Sequence, residues 1–84
     1  MKFTGAVINE QGVTFAIVLV KKSAMSSNHT AESTVRSYQP FFPNLPIVLA
    51  SQDAHGRLEY LGRPDLSKFL AAFHPSQIPW KDYT

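Results

Sequence analysis

Cysteine is absent from this sequence of 84 residues. A disulfide framework, a zinc site built from thiolates, an iron–sulfur cluster and a thiol nucleophile all require cysteine sulfur, so each of these is excluded. The chain is also short, and surface scaling for a protein of this size gives burial of only about 63% of the surface that the unfolded chain exposes. We therefore expect one domain with a thin hydrophobic core.

Charge and long apolar runs are also scarce. Eight lysine and arginine residues against six aspartate and glutamate residues leave a net charge of +2, a field too weak to indicate a nucleic-acid partner by itself. The longest apolar run, Phe15 to Val20, is far shorter than the roughly 20 residues that span a bilayer, and residues 1–5 do not lead into the apolar region of a signal peptide. We therefore expect a cytoplasmic protein with no membrane association, and the short single-domain chain with its plain start favours a bacterial type.

Turn residues divide much of the chain into two predicted hairpins. Residues 9–12 separate the first pair of strands and residues 52–57 separate the second pair, and each turn contains a glycine among polar residues. The second and third strands are apolar on both faces, so we expect them side by side in the middle of the sheet, with the other two at its edges. The four predicted strands are Lys2 to Ile8, Gly12 to Lys21, Pro46 to Ser51 and Leu58 to Leu61.

Each hairpin is followed by a predicted helix. The first helix runs from about Thr30 to Tyr38 or Gln39, because Pro40 disfavours helical geometry in the residue before it. The second helix begins at Pro64 and has apolar residues at helical spacing from Leu66 to Phe73. The sequence therefore predicts one small α+β domain of order ββαββα, residues 1–84, with a mostly antiparallel four-stranded sheet and two helices. The aromatic tail, Ile78 to Thr84, is expected to pack on the domain or to dock a partner.

The segment from Thr14 to Phe73 has a strand, a helix, a strand introduced by proline at Leu45 to Leu49, a hairpin with Gly56 at its turn, and a closing amphipathic helix. In this order of elements it resembles the C-terminal half of a thioredoxin-like fold. In that family the proline is cis and lies beside the redox site, which makes Pro46 the corresponding position here. Because the chain has no cysteine, the resemblance implies an arrangement of elements and no redox activity.

Catalytic and metal-binding patterns are not prominent. The histidines, His29, His55 and His74, are too far apart in sequence to give the closely spaced pair that most metal sites use, so we expect no metal. A hydrolase would have to combine His55 with Ser51 and Asp53, but a polar turn explains these residues better. We therefore expect no enzymatic activity and no cofactor.

Two groups of basic residues are candidates for anion binding. The first group precedes or opens a helix, where free amides and the helix dipole favour a phosphate. An ordinary capped loop has the same composition. The group consists of Lys21, Lys22, Ser26, Ser27 and Thr30. A second group surrounds Tyr60 and offers cations beside an aromatic ring, as in single-stranded nucleic-acid sites, but Glu59 and Asp65 offset its charge. The cations of this second group are Arg57, Arg63 and Lys68.

Aromatic residues are more numerous than so small a core requires, with six phenylalanines, three tyrosines and one tryptophan. Phe41, Tyr60, Trp80 and Tyr83 lie in or beside predicted loops and chain ends, where large aromatics are frequent interface anchors. The predicted edge strands also offer unpaired backbone for strand addition or homodimer formation. The sequence therefore predicts a non-catalytic protein–protein interaction or assembly module that binds a protein partner or a second copy of itself. The alternative is an accessory nucleic-acid or phosphate-binding protein.

Overall fold

The computed structural model of the chain describes residues 2–10 and 12–84, so that Gln11 of the predicted first turn lies outside the described residues. Within these ranges the chain forms two α-helices and five strands. The helices are α1 (Asn28–Tyr38) and α2 (Pro64–Ala71). The strands are β1 (Phe3–Glu10), β2 (Val13–Leu19), β3 (Ile47–Gln52), β4 (Leu58–Leu61) and β5 (Lys81–Tyr83). The α+β class, the two helices and the ββαββα order of the first six elements are thus confirmed.

The sheet is mixed and has the strand order β4-β3-β2-β1-β5. The β1–β2, β3–β4 and β1–β5 pairs are antiparallel, whereas β2 and β3 are parallel. The parallel pair arises because α1 returns the chain to the starting end of β2 before β3 begins. The prediction of four strands is therefore wrong in number, and the mostly antiparallel description omits this parallel pair at the centre.

The additional strand is formed by the C-terminal tail. In β5, Tyr83 pairs with Phe3 and Lys81 pairs with Gly5, so that β5 covers the outer edge of the first part of β1. The hydroxyl of Thr4 also donates a hydrogen bond to the Asp82 carboxylate at 2.9 Å. Only the part of β1 beyond Gly5 keeps an open edge, in contrast to the edge predicted along Lys2 to Ile8.

Buried side chains lie on both faces of the sheet. α1 packs on one face and α2 on the other, and residues from Phe15 to Val18 in β2 are fully buried between them. β3 is also buried from Ile47 to Ser51. The expectation that β2 and β3 are neighbouring central strands is confirmed, since strands that are covered on both sides are apolar on both sides.

Glycine is required at one position inside the sheet. A Cβ atom on Gly5 of β1 would lie 2.8 Å from the backbone oxygen of Ile17 in β2, which is closer than real Cβ atoms approach. The same Cβ atom would also lie 3.4 Å from Cε2 of Phe3 and 3.5 Å from Cε1 of Tyr83. Gly5 therefore leaves room for the stacked rings of Phe3 in β1 and Tyr83 in β5.

Candidate functional site

One face of the sheet is only partly covered. α1 lies over β3, and an open groove of about 400 Å³ remains between α1 and the end of β4. We call it the α1–β4 groove. Its floor is apolar and is formed by Ala31, Val35, Ile47, Leu49 and Leu61.

The groove exists because of the side chains that α1 carries. Ala31 and Val35 are four residues apart and therefore lie on the same face of the helix, turned toward the sheet. Both side chains are short, so α1 does not reach across to β4, and Leu61 remains 36% exposed. The groove ends at Gly62, where a Cβ atom would lie 3.1 Å from Val48 Cγ2 and 3.2 Å from Val48 Cα.

Polar residues of α1 form the rim of the groove. Asn28, Glu32 and Arg36 follow one another at intervals of four residues and line the groove beside the apolar floor. Glu32 and Arg36 are exposed, and within residues 2–10 and 12–84 neither forms an ion pair. The rim therefore presents one positive and one negative charge that are available to a partner.

Two of the four aromatics predicted at a partner interface belong to a cluster around Phe3. Tyr83 stacks on Phe3 with a centroid distance of 4.8 Å and an angle of 6°, and it meets Phe42 edge to face at 5.2 Å. Phe41 also contacts Phe3 edge to face at 5.0 Å, but it remains 39% exposed. Tyr83 thus connects β5 to the buried residues between the sheet and α1, which we call the α1-side core. Phe41 lies at the surface of the same aromatic cluster.

The other two predicted aromatics lie on the α2 side of the sheet. Trp80 packs against the buried residues between the sheet and α2, which we call the α2-side core. Its indole Nε1 donates a hydrogen bond to the carbonyl oxygen of Pro75 at 3.2 Å. Tyr60 packs against the same core, and burial raises the pKa of its hydroxyl. The structure therefore does not bring the four predicted residues together on one surface, and none of them lines the α1–β4 groove.

The residues predicted to bind an anion are mostly engaged in shaping a loop. The Ser27 hydroxyl accepts a hydrogen bond from the backbone N–H of Thr30 at 3.1 Å and so caps α1, which begins at Asn28. The Ser26 hydroxyl donates to the backbone oxygen of Ser23 at 2.9 Å. The ammonium group of Lys22 lies 3.8 Å from a carboxylate oxygen of Glu59. These contacts are those of a capped loop.

Lys21 instead lines a cleft that was not predicted from the sequence. In the β1–β2 hairpin Thr4 pairs with Leu19, and extension of this register by two residues sets Lys2 opposite Lys21. The two lysines line an open cleft of about 540 Å³ between the hairpin and α1, which we call the Lys2–Lys21 cleft. Its other lining residues include hydroxyl-bearing side chains of Ser23, Thr30, Thr34 and Tyr38. The pairing of residues around the predicted hairpin was the sequence signal that could have identified Lys2.

The second predicted basic group is partly neutralised. Arg63 forms a paired contact with Asp65, with 2.7 Å between Nη2 and Oδ2 and 3.2 Å between Nε and Oδ1. The hydrogen bond from Arg63 is the main reason why the pKa of Asp65 is lowered. This bidentate pair offsets the charge of Arg63 beside the start of α2, as the neighbouring acid in the sequence led us to expect.

The polar residues of the second hairpin hold its turn. Asp53 Oδ1 accepts hydrogen bonds from the backbone N–H groups of His55 at 2.8 Å and Arg57 at 2.9 Å. The bond from Arg57 is the main cause that lowers the pKa of Asp53. Ser51 is buried at the end of β3. The Asp53 carboxylate is therefore occupied by the turn.

The described part of the chain contains no group of three or more histidine, aspartate or glutamate side chains placed to hold a metal ion. No helix within it is long and apolar enough to cross a membrane. Comparisons with protein-family models, with curated proteins and with solved structures gave no match to this chain.

Proposed function

We propose that this chain is a non-catalytic protein-interaction module and that its partner binds at the α1–β4 groove. The observation that carries the proposal is the position of an open apolar groove directly beside an edge strand. β4 pairs only with β3 among the described strands, so its other edge offers unpaired backbone groups next to the exposed Leu61. Backbone pairing supplies affinity in such sites, and the adjacent pocket selects a side chain.

The groove suits an apolar side chain from a partner. Its floor consists of aliphatic groups from α1, β3 and β4, and its charges are confined to the rim. Burial of one large aliphatic side chain stabilises a contact by about 1.5–3 kcal/mol. A few additional backbone hydrogen bonds at β4 contribute about 0.5–1.5 kcal/mol each. Together these terms support a specific but moderate affinity.

A non-catalytic role agrees with the use of polar groups elsewhere in the fold. The Asp53 carboxylate holds a turn, the Ser27 hydroxyl caps a helix, and Arg63 is paired with Asp65. Groups that catalyse reactions need to converge on one pocket with suitably shifted pKa values. The rim of the α1–β4 groove has two charged groups, and its floor has only aliphatic side chains.

Site-specific photo-crosslinking tests the proposal. A photoreactive amino acid at position 61 should give covalent adducts with protein in an extract of the native source. The matched control is position 7, because Val7 is 44% exposed and lies on the same face of the sheet but outside the groove. Equal adduct yields from the two positions, or none from position 61, would contradict binding at the groove.

The Lys2–Lys21 cleft supports a second candidate function, the binding of phosphate groups. Within the described residues neither lysine forms an ion pair, and residues with hydroxyl groups also line the cleft. Titration with inorganic polyphosphate should shift the amide resonances of these residues, and the affinity should fall steeply with salt. Loss of binding in K2Q/K21Q, with binding retained in R57Q/K68Q, which removes the same number of positive charges from exposed positions outside the cleft, is the expected result. Equal loss in both variants would assign the binding to general surface charge.

A further inference from the structure

We infer that the occupant of the α1–β4 groove is a second copy of this chain, related to the first by a two-fold axis. The inference rests on the proposed function, because it names the partner of that same groove. A two-fold interface joins the same patch on both subunits, so the patch must be complementary to itself. The charge pattern of the rim meets this condition.

Glu32 and Arg36 provide the self-complementary pattern. They have opposite charges, lie one helical turn apart on the rim, and remain without an ion pair in residues 2–10 and 12–84. A two-fold axis perpendicular to α1, at the level midway between these two residues, sets the α1 helices of the two copies antiparallel. Glu32 of each copy then faces Arg36 of the other copy, which creates two equivalent ion pairs.

The same pattern disfavours partners with charge of one sign. An acidic segment in the groove would face Glu32, and a basic segment would face Arg36, so each would leave one contact between like charges. Like-charge contacts at an interface suppress such partners. A partner that presents one acid and one base in reversed order avoids both contacts, and a second copy of α1 has that order.

The apolar part of the groove fits the same arrangement. Leu61 stands at the end of the open edge strand β4 and also lines the groove. The same two-fold axis passes the open side of the groove beside Leu61, so it joins the two grooves and brings the Leu61 side chains of both copies together. Two neighbouring edges related by such an axis run antiparallel, which is the orientation in which short strands pair directly. The dimer would therefore cover both Leu61 side chains and the open edge of β4 at its Leu61 end.

The first experiment measures mass in solution as a function of concentration. Sedimentation equilibrium between about 5 and 500 µM covers the affinities expected of a small interface. The average mass should rise from that of the 9.4 kDa chain toward twice that value. L61K should remain monomeric throughout, and V7K should dimerise as the wild type does. A monomeric wild type at the highest concentration overturns the inference.

Charge reversal tests the orientation. E32R and R36E should each weaken dimerisation about tenfold, because each replaces two ion pairs by two contacts between like charges. The double variant E32R/R36E restores both pairs and should dimerise like the wild type. An equimolar mixture of the two single variants should form the mixed dimer. A double variant as weak as the single variants would refute this pairing.

The two proposals fail separately. Adducts from position 61 at twice the chain mass, together with a dimeric wild type, support both. A monomeric wild type with position-61 adducts to another protein refutes the inference and leaves the proposed function standing. A monomeric wild type with no adducts from position 61 refutes both. Circular dichroism of each variant establishes that the loss of association is not a loss of folding.

Discussion

Truncation of Tyr83 should destabilise the whole domain, although this residue is the last but one in the chain. Y83A removes the stacking contact with Phe3 at 4.8 Å and the edge contact with Phe42 at 5.2 Å. Aromatic pairs contribute about 0.5–1.5 kcal/mol each beyond the area that they bury. With the lost burial of a partly exposed ring, we expect the free energy of unfolding to fall by about 2–4 kcal/mol.

Urea unfolding followed by the fluorescence of Trp80, the only tryptophan, measures this change. Y83F is the matched control, because it keeps the ring and should unfold within about 0.5 kcal/mol of the wild type. F41A is a second control, since Phe41 contacts the same Phe3 ring but is 39% exposed, and it should cost less than Y83A. An unchanged unfolding midpoint in Y83A would refute the structural role of β5 and would favour a docking role for the tail.

Three further predictions concern local features. G5A should lower the free energy of unfolding by about 1–3 kcal/mol, because its Cβ atom would lie 2.8 Å from the Ile17 backbone oxygen. The control V7A, at an exposed position of the same strand, should lower it less, and thermal unfolding measures both variants. S27A should lower the free energy of unfolding by about 0.5–2 kcal/mol, because it removes the cap of α1. The control S33A, at an exposed position of the same helix, should leave it unchanged. Equal effects of the two variants in urea unfolding would count against the cap. The backbone hydrogen bonds lower the folded-state pKa of Asp53, so its contribution to stability is present above the ordinary aspartate pKa of about 3.9 and is lost as the pH falls through the lower folded-state value. D53N should therefore flatten the acid limb of the stability profile below about pH 4, and an identical acid limb would exclude this role.

The centre of the fold could be predicted because its signals are local. The apolar stretches of β2 and β3 indicate strands covered on both faces, and the spacing from Leu66 to Phe73 indicates α2. β5 could not be predicted in the same way. Its three residues, Lys81 to Tyr83, have no apolar alternation, and their conformation depends on pairing with Phe3 at the other end of the chain.

The candidate site was harder to predict than the fold, because the groove results from small side chains and not from conspicuous ones. Interface prediction from the sequence favoured large aromatics, and the structure places Trp80 and Tyr60 against the α2-side core and Tyr83 on Phe3. Ala31 and Val35 have no distinctive chemistry in the sequence. Only their position over β3, with Leu61 left exposed beside them, defines the groove.

The β5 edge and the β4 edge of the sheet differ in what lies beside them, and this difference favours the β4 edge for the association proposed above. The β5 edge is short and charged, with Asp82 bound to Thr4 and the ammonium group of Lys81 5.5 Å from the centre of the Tyr83 ring. Short, charged edges oppose further strand pairing. The β4 edge instead adjoins the apolar groove.

Stability and association should therefore respond to different residues. Y83A should lower stability but leave the dimerisation constant unchanged at temperatures where the variant is folded, because Tyr83 lies at the opposite edge of the sheet from β4. L61K should abolish the proposed dimerisation and lower the stability of the monomer by only about 1 kcal/mol, because Leu61 is already 36% exposed and loses only part of its apolar contact. Sedimentation and urea unfolding of both variants measure the two effects. If Y83A also weakened dimerisation, or if L61K destabilised the monomer as strongly as Y83A does, the two edges would be coupled. That result would contradict the reasoning, because Tyr83 and Leu61 lie at opposite edges of the sheet.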